Sequence, residues 1–150
     1  MKIFEVLNSK QEILGAKFIQ ASAGCGKTFT IEHIVIRLLL ENKTINIENI
    51  LVVTFTKKAT AELKFRIKNK IDEIIKILTY SKEHDIIYDY LHPFLKGDKK
   101  QGAISKLKDA LLYFDQAPIF TIHGFCFRSL KDFSLFARVN IDIEEKQDIE

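Results

Sequence analysis

Ala21-Ser-Ala-Gly-Cys-Gly-Lys-Thr28 follows a short apolar run, Ala16-Lys17-Phe18-Ile19-Gln20, and opens a periodic segment near Phe29. The order this predicts is strand, tight loop, helix. A phosphate-binding loop needs that order, because backbone N–H groups of the loop and the helix N-terminus must converge on an anion. Gly24 and Gly26 can adopt conformations closed to other residues and leave room for phosphate oxygens. The expected nucleotide-binding set is therefore Ala21, Ser22, Ala23, Gly24, Cys25, Gly26, Lys27 and Thr28. Within it Lys27 would reach the β- and γ-phosphates of ATP, as the catalytic lysine, and the Thr28 hydroxyl would ligate Mg²⁺. Ala21 stands where the usual pattern has its first glycine, and a Gly-Lys-Thr tripeptide by itself also suits a plain helix start.

Around this loop the chain alternates helix and strand. Residues 27–41 carry Ile31, Ile34, Val35, Leu38 and Leu39 at helical spacing, and Asn42 is a stop signal. Ile50 to Phe55 is a continuous apolar, partly β-branched run, as expected of a central parallel strand covered on both faces. Thr56 then caps a helix of about twenty residues. Its apolar side is Ala59, Leu63, Ile67, Ile71, Ile74, Ile75 and Leu78. Lysines 57, 58, 64, 68 and 70 with Arg66 make the remainder basic, either a solvated face or a surface for a polyanion. Residues 81–116 read as one or two helices broken at Pro93 and again at Gly97 to Gly102, with Leu107, Leu111 and Phe114 at helical spacing. Ala117 to Ile122 is the next strand, His123-Gly124 begins a turn, and the acidic tail from Asn140 gives no clear element. This pattern predicts an α/β fold, a parallel sheet with flanking helices.

Composition sets the outer bounds. The 150 residues are 47% hydrophobic and 29% charged with net charge +3, ordinary for a soluble globular domain and no strong argument for a polyanion. No stretch reads as a signal peptide or a membrane span. Cys25 and Cys126 have neither metal-ligand spacing nor a disulfide framework, so a reducing, cytoplasmic setting is expected.

Three segments carry a family resemblance: Ala21 to Thr30; Leu51-Val-Val-Thr-Phe-Thr-Lys-Lys-Ala-Thr-Ala-Glu-Leu-Lys-Phe-Arg-Ile67; and Phe120-Thr-Ile-His-Gly-Phe-Cys126. In this order they resemble motifs I, Ia and Ib of the UvrD/Rep-like superfamily 1 DNA helicases. Within that superfamily, Ala-Thr-Ala-Glu-Leu and Thr-Ile-His-Gly-Phe-Cys look most like the RecB group, the β subunits of exodeoxyribonuclease V. The resemblance spans residues 16 to 130 and implies a P-loop NTPase (RecA-like) motor domain using ATP and Mg²⁺. It implies a 3′-to-5′ helicase and exonuclease acting in recombination and double-strand-break repair, with single-stranded or duplex-end DNA and the other subunits of a RecBCD-like complex as partners.

Carried over by position, Thr54, Phe55 and Thr56 would meet single-stranded DNA in motif Ia, and His123 and Phe125 in motif Ib. A hydroxyl and N–H at a helix start can hold a phosphate, and an aromatic ring offers a stacking platform. Core packing for the two phenylalanines and a satisfied loop histidine for His123 are equally open. Cys25 replaces the family's threonine or serine. Gln11 has the amide to read adenine but does not align with the family's upstream glutamine, and an exposed turn residue suits it as well.

Such an ATPase also needs an apolar strand ending in Asp-Glu. Leu111 to Gln116 contains Asp115 but continues a helical period and abuts the next strand, so it is not that motif. The expectation is the incomplete N-terminal part of a helicase motor domain, residues 1–150, with later motifs absent and no turnover alone. A non-catalytic nucleotide- and DNA-binding module is the alternative, and a small P-loop kinase a weaker one.

Overall fold

Leu63, Ile67, Ile71, Ile74 and Leu78 recur every three or four residues and lie on one side of a 24-residue helix, where each is buried. That stripe is the spine of the molecule. The computed structural model describes residues 3–20, 22, 24, 26–81 and 86–137, with residues 134–137 described by their backbone alone. In chain order the elements are α1 (Lys27–Glu41), β1 (Val52–Thr54), α2 (Lys57–Tyr80), α3 (Gly97–Leu112), β2 (Ile119–Thr121) and α4 (Ile122–Ala137). Short 3₁₀ helices cover Ile47–Asn49, Asp89–Phe94 and Phe114–Gln116. Helix α2 packs against α1, α3 and β2. Ile67, Ile71, Ile74, Leu91 and Leu107 are fully buried in the shared core, each contributing about 1.5–3 kcal/mol by removal from water.

β1 and β2 pair in parallel, with Val52 opposite Ile119, Val53 opposite Phe120 and Thr54 opposite Thr121. A parallel pair requires a long crossover, here α2, the 89–94 turn and α3. The mixed α/β architecture is thus as expected, with a sheet of two described strands.

Several boundaries differ from expectation. Residues 16–20 form no strand; Phe18 is 91% exposed, and β1 and β2 pair only with each other among the described residues. An extended segment becomes a strand only where a neighbour takes up its N–H and C=O groups. The run 50–55 contracts to Val52–Thr54, and Leu51 and Val53 are exposed, so the sheet is not covered on both faces. The break expected at Gly97 to Gly102 falls at its first residue alone: the 89–94 helix ends before Gly97 and α3 begins there. Gly97 takes a left-handed conformation (φ 61°) as the first residue of α3, and Gly102 lies inside it. Pro93 sits within a 3₁₀ turn, where its fixed φ is tolerated. Asp115 is exposed in the 3₁₀ turn that continues α3, in keeping with its helical reading. The acidic tail from Asn140 lies outside the described residues.

The buried side of α1 is also rotated from the expected stripe. Ile31 is exposed and Ile34 and Leu38 are half-buried, whereas Glu32, His33, Val35, Ile36, Arg37, Leu39 and Leu40 are buried. Aliphatic residues run nearly all round this helix, so periodicity alone selects no face. Polar partners choose it: Arg66 of α2 pairs with Glu32 at 3.1 Å, Tyr90 bonds His33, and Arg37 takes backbone carbonyls of the N-terminal segment.

Candidate nucleotide and nucleic-acid site

Gly24 and Gly26 both sit in the left-handed region, with φ of 78° and 77°. A side chain would be strained at either position, which gives the expected reason for glycine there. Gly26 is the N-cap of α1, with no side-chain cap and no carboxylate in the helix's first turn. The helix's own first turn thus offers no carboxylate to the positive end of its dipole, and its N–H groups suit an external anion. The Lys27 ammonium donates to the Ser22 carbonyl at 2.7 Å, folding over the loop. Thr28 is half-buried on the first turn. Ala21, Ala23 and Cys25 lie outside the described residues.

The second group of residues gathers at the C-terminal ends of the two strands. Register places Thr54 beside Thr121. The Thr56 hydroxyl accepts from the Ala59 N–H at 3.1 Å, an N-cap for α2. The Thr54 and Thr60 hydroxyls share a hydrogen bond of 2.6 Å, and Thr60 also donates to the Thr56 carbonyl at 3.0 Å. This network pins the turn and leaves the Phe55 ring 86% exposed, so Phe55 is not a core residue. Across the sheet, the Thr121 hydroxyl accepts from the Gly124 N–H at 3.0 Å. A Cβ at Gly124 would meet that same oxygen at 3.2 Å, tight enough to disturb the bond.

His123 and Phe125 do not lie in a turn, as expected from sequence, but in the first turn of α4. The helix starts directly at the strand end because Thr121 serves the Gly124 N–H. His123 is exposed, and Phe125, at 36% exposure, borders an open cleft with Phe120, Arg128 and Phe133. Register thus sets the Thr54–Thr56 turn and the start of α4, which carries His123, at one sheet end, where ligands gather in open parallel sheets, whereas the cleft that Phe125 borders runs back toward Glu48, Leu51 and Pro118, ahead of the strands.

Sequence reasoning missed a polar cluster packed under α1. His33 is fully buried, with Nδ1 at 2.7 Å from the Tyr90 hydroxyl and Nε2 without a hydrogen-bond partner. Phe29 packs on its ring with centroids 4.3 Å apart. Burial, then the Lys70 charge, lowers the His33 pKa to about 4, so the ring is neutral. Beside it Lys70 and Glu73 pair at 2.7 Å, and Tyr88 donates to Glu73 at 2.9 Å. Burial opposes the Glu73 charge, but the Lys70 and Tyr88 hydrogen bonds outweigh it and hold that carboxyl below its ordinary value. The available signal was His33 and Arg37 one turn apart on an otherwise aliphatic helix, with Glu41 a further turn on.

Gln11 is half-buried and its amide donates to the Glu12 carbonyl at 3.1 Å. Among the described residues no helix is long and apolar enough to cross a membrane, and no group of three or more His, Cys, Asp or Glu could hold a metal.

Comparison with known proteins agrees with this arrangement. Residues 5–150 match the UvrD/REP helicase N-terminal domain. Relatives described as RecBCD enzyme subunit RecB are similar in sequence. That of Chlamydia trachomatis is 39% identical over 128 residues, covering 84% of this chain and 12% of the relative. That of Haemophilus influenzae is 39% identical over 137 residues, covering 84% and 11%. That of Escherichia coli is 41% identical over 123 residues, covering 77% and 10%. The chain thus spans about a tenth of the length of these relatives. A glycine loop at a helix start, two threonine-ended parallel strands and a match over nearly all of its length together place the chain in the UvrD/REP helicase N-terminal domain family.

Proposed function

We propose that this chain is the ATP-binding front end of a RecB-type 3′-to-5′ DNA helicase and exonuclease subunit, acting in recombination and double-strand-break repair with partners of a RecBCD-like complex. The observation that carries the reading is the left-handed Gly24 and Gly26 at the uncapped start of α1, with Lys27 folded over the loop. In this reading the fold is a P-loop NTPase motor domain in part, and residues 21–28 hold the nucleotide. The β- and γ-phosphates take the Lys27 ammonium from the Ser22 carbonyl, and first-turn N–H groups of α1 supply the remaining donors. Thr28 ligates Mg²⁺, which neutralises phosphate charge when bound. Thr54, Phe55 and Thr56 with His123 and Phe125 receive single-stranded DNA, the exposed Phe55 ring as a stacking platform and the α2 start as a phosphate seat.

Isothermal titration of Mg²⁺-ATP against wild type and Lys27→Ala tests the reading. Binding by wild type with loss in the variant is the expected result, and equal affinity for both removes the phosphate-loop assignment. The alternative, a module that binds nucleotide and DNA without turnover, gives the same titration and the same lack of hydrolysis by these 150 residues, and differs only in whether later helicase motifs complete the site.

A further inference from the structure

Lys70 of α2 lies where three parts of the chain meet. Its ammonium stands 5.8 Å from the centre of the Phe29 ring of α1 and 5.5 Å from that of Tyr88, which precedes the 89–94 turn. It pairs with Glu73 at 2.7 Å, and the Tyr88 hydroxyl closes the set by donating to Glu73 at 2.9 Å. The Lys70 side chain is only 12% exposed. Burial opposes its charge, but the bond to Glu73 and the Glu73 charge outweigh it, holding the amine above its ordinary value and cationic at neutral pH. Aromatic faces are negative, so a partly desolvated ammonium attracts the rings on either side of it.

Phe29 joins this cluster to the phosphate loop. It is the third residue of α1, directly after Thr28, and its own N–H is among those at the helix start that no carbonyl of the helix receives. A Cβ built on Gly26 would lie 4.0 Å from the Phe29 Cβ, so the root of the ring touches the left-handed turn of the loop. The ring itself rests on His33 with centroids 4.3 Å apart, and the buried His33 is fixed in turn by the Tyr90 hydroxyl at 2.7 Å. Helix α1 has no side-chain N-cap, so its first turn lacks the usual local fastening. The rings and the cation beneath it supply one from a distance along the chain.

We propose that Lys70 is a positioning residue for the phosphate site: by holding the Phe29 ring against His33 it sets the first turn of α1, whose N–H groups receive the anion. This rests on the phosphate-loop reading above. Lys70 acts through Phe29 and not on the ligand. It raises the fraction of molecules whose helix start already has the binding geometry, and apparent affinity scales with that fraction.

Titration of the 150-residue protein with Mg²⁺-tripolyphosphate, a probe confined to the phosphate seat, tests this. Lys70→Met keeps an aliphatic stem and loses the cation; it weakens binding about fivefold. Lys70→Arg, a cation that still lies on aromatic rings, restores most of the loss. Ile104→Val lowers stability from α3 in the shared core and leaves the affinity unchanged, which separates positioning from a general loosening of the fold. Phe29→Leu weakens binding as Lys70→Met does, and combining the two adds nothing further. Hydrogen exchange without ligand reads the same device directly. The Thr30 N–H, which donates to the Gly26 carbonyl at 2.8 Å, exchanges faster in Lys70→Met than in wild type. Wild-type affinity in Lys70→Met, equal losses in Lys70→Met and Ile104→Val, or losses that add in the double variant overturn the positioning role. If wild type binds neither tripolyphosphate nor Mg²⁺-ATP, the phosphate-loop reading itself fails, and this proposal with it.

Discussion

Acidification should unfold this protein through one buried ring, His33, in a pH window above that of its carboxylates. The unfolded chain protonates His33 near 6.5 and the folded chain not until about 4. Between those values the unfolded state binds more protons, so stability rises with pH across the window. The contribution is complete above 6.5, declines as pH falls, and is constant again below about 4. The full difference is about 3 kcal/mol; integration gives a loss of about 0.8 kcal/mol at pH 6 and about 2 kcal/mol at pH 5. Glu73, whose folded pKa is also lowered, contributes in the same sense, stability lost as pH falls, but only around and below its ordinary value of 4.5, so pH 5 to 7 isolates the histidine. Urea unfolding followed by far-UV circular dichroism, suited to a chain with no tryptophan, reads the effect. Wild type should lose the amount given between pH 7 and pH 5. His33→Leu paired with Tyr90→Phe, which removes both hydrogen-bonding groups and avoids an orphaned hydroxyl, should be flat over that range. A flat wild-type profile, or an equal loss in the double variant, refutes the neutral buried histidine.

Three further outcomes follow from the site and the core. Labelled single-stranded oligonucleotide should bind weakly, with a log-log salt slope of about −0.7 for each phosphate neutralised. Anisotropy that ignores salt, or survives Phe55→Ala with Lys57→Ala, excludes the α2 start as the surface. Thr56→Ala should cost about 1 kcal/mol through loss of the α2 N-cap, read as a lower urea midpoint with unchanged slope, while Phe55→Ala, at an 86% exposed position, should leave the midpoint in place. Phosphate release from ATP by these 150 residues should be undetectable with DNA present, because Asp115 sits exposed in a 3₁₀ turn and not at a strand end; turnover abolished by Lys27→Ala but not by Asp115→Asn would show that another carboxylate serves, and turnover abolished by both would reinstate Asp115.

Local chemistry written into single residues was legible in the sequence. Helix α1 begins at Lys27 and ends at Glu41 before Asn42, as read, because a glycine pair starts it and a change of pattern stops it. Thr56 caps α2 by a bond to its own third residue onward, and the α2 stripe was visible because its other face is charged. Glycine at 24 and 26 permits the left-handed conformations that both adopt. What the sequence could not carry was anything decided by a partner distant in the chain. Residues 16–20 have strand composition, yet strand formation depends on a neighbour to receive their hydrogen bonds, and no described strand lies there. His123 and Phe125 read as a turn until a hydroxyl at Thr121 takes the Gly124 N–H and starts α4 at the strand end. The buried face of α1 was undecided by periodicity because the helix is aliphatic on most sides; it is set by carbonyls at residues 6–11 and a hydroxyl at residue 90, which meet Arg37 and His33 only once the chain has folded back. Buried polar groups must find partners wherever the fold supplies them, and that requirement, invisible along the chain, chose the face.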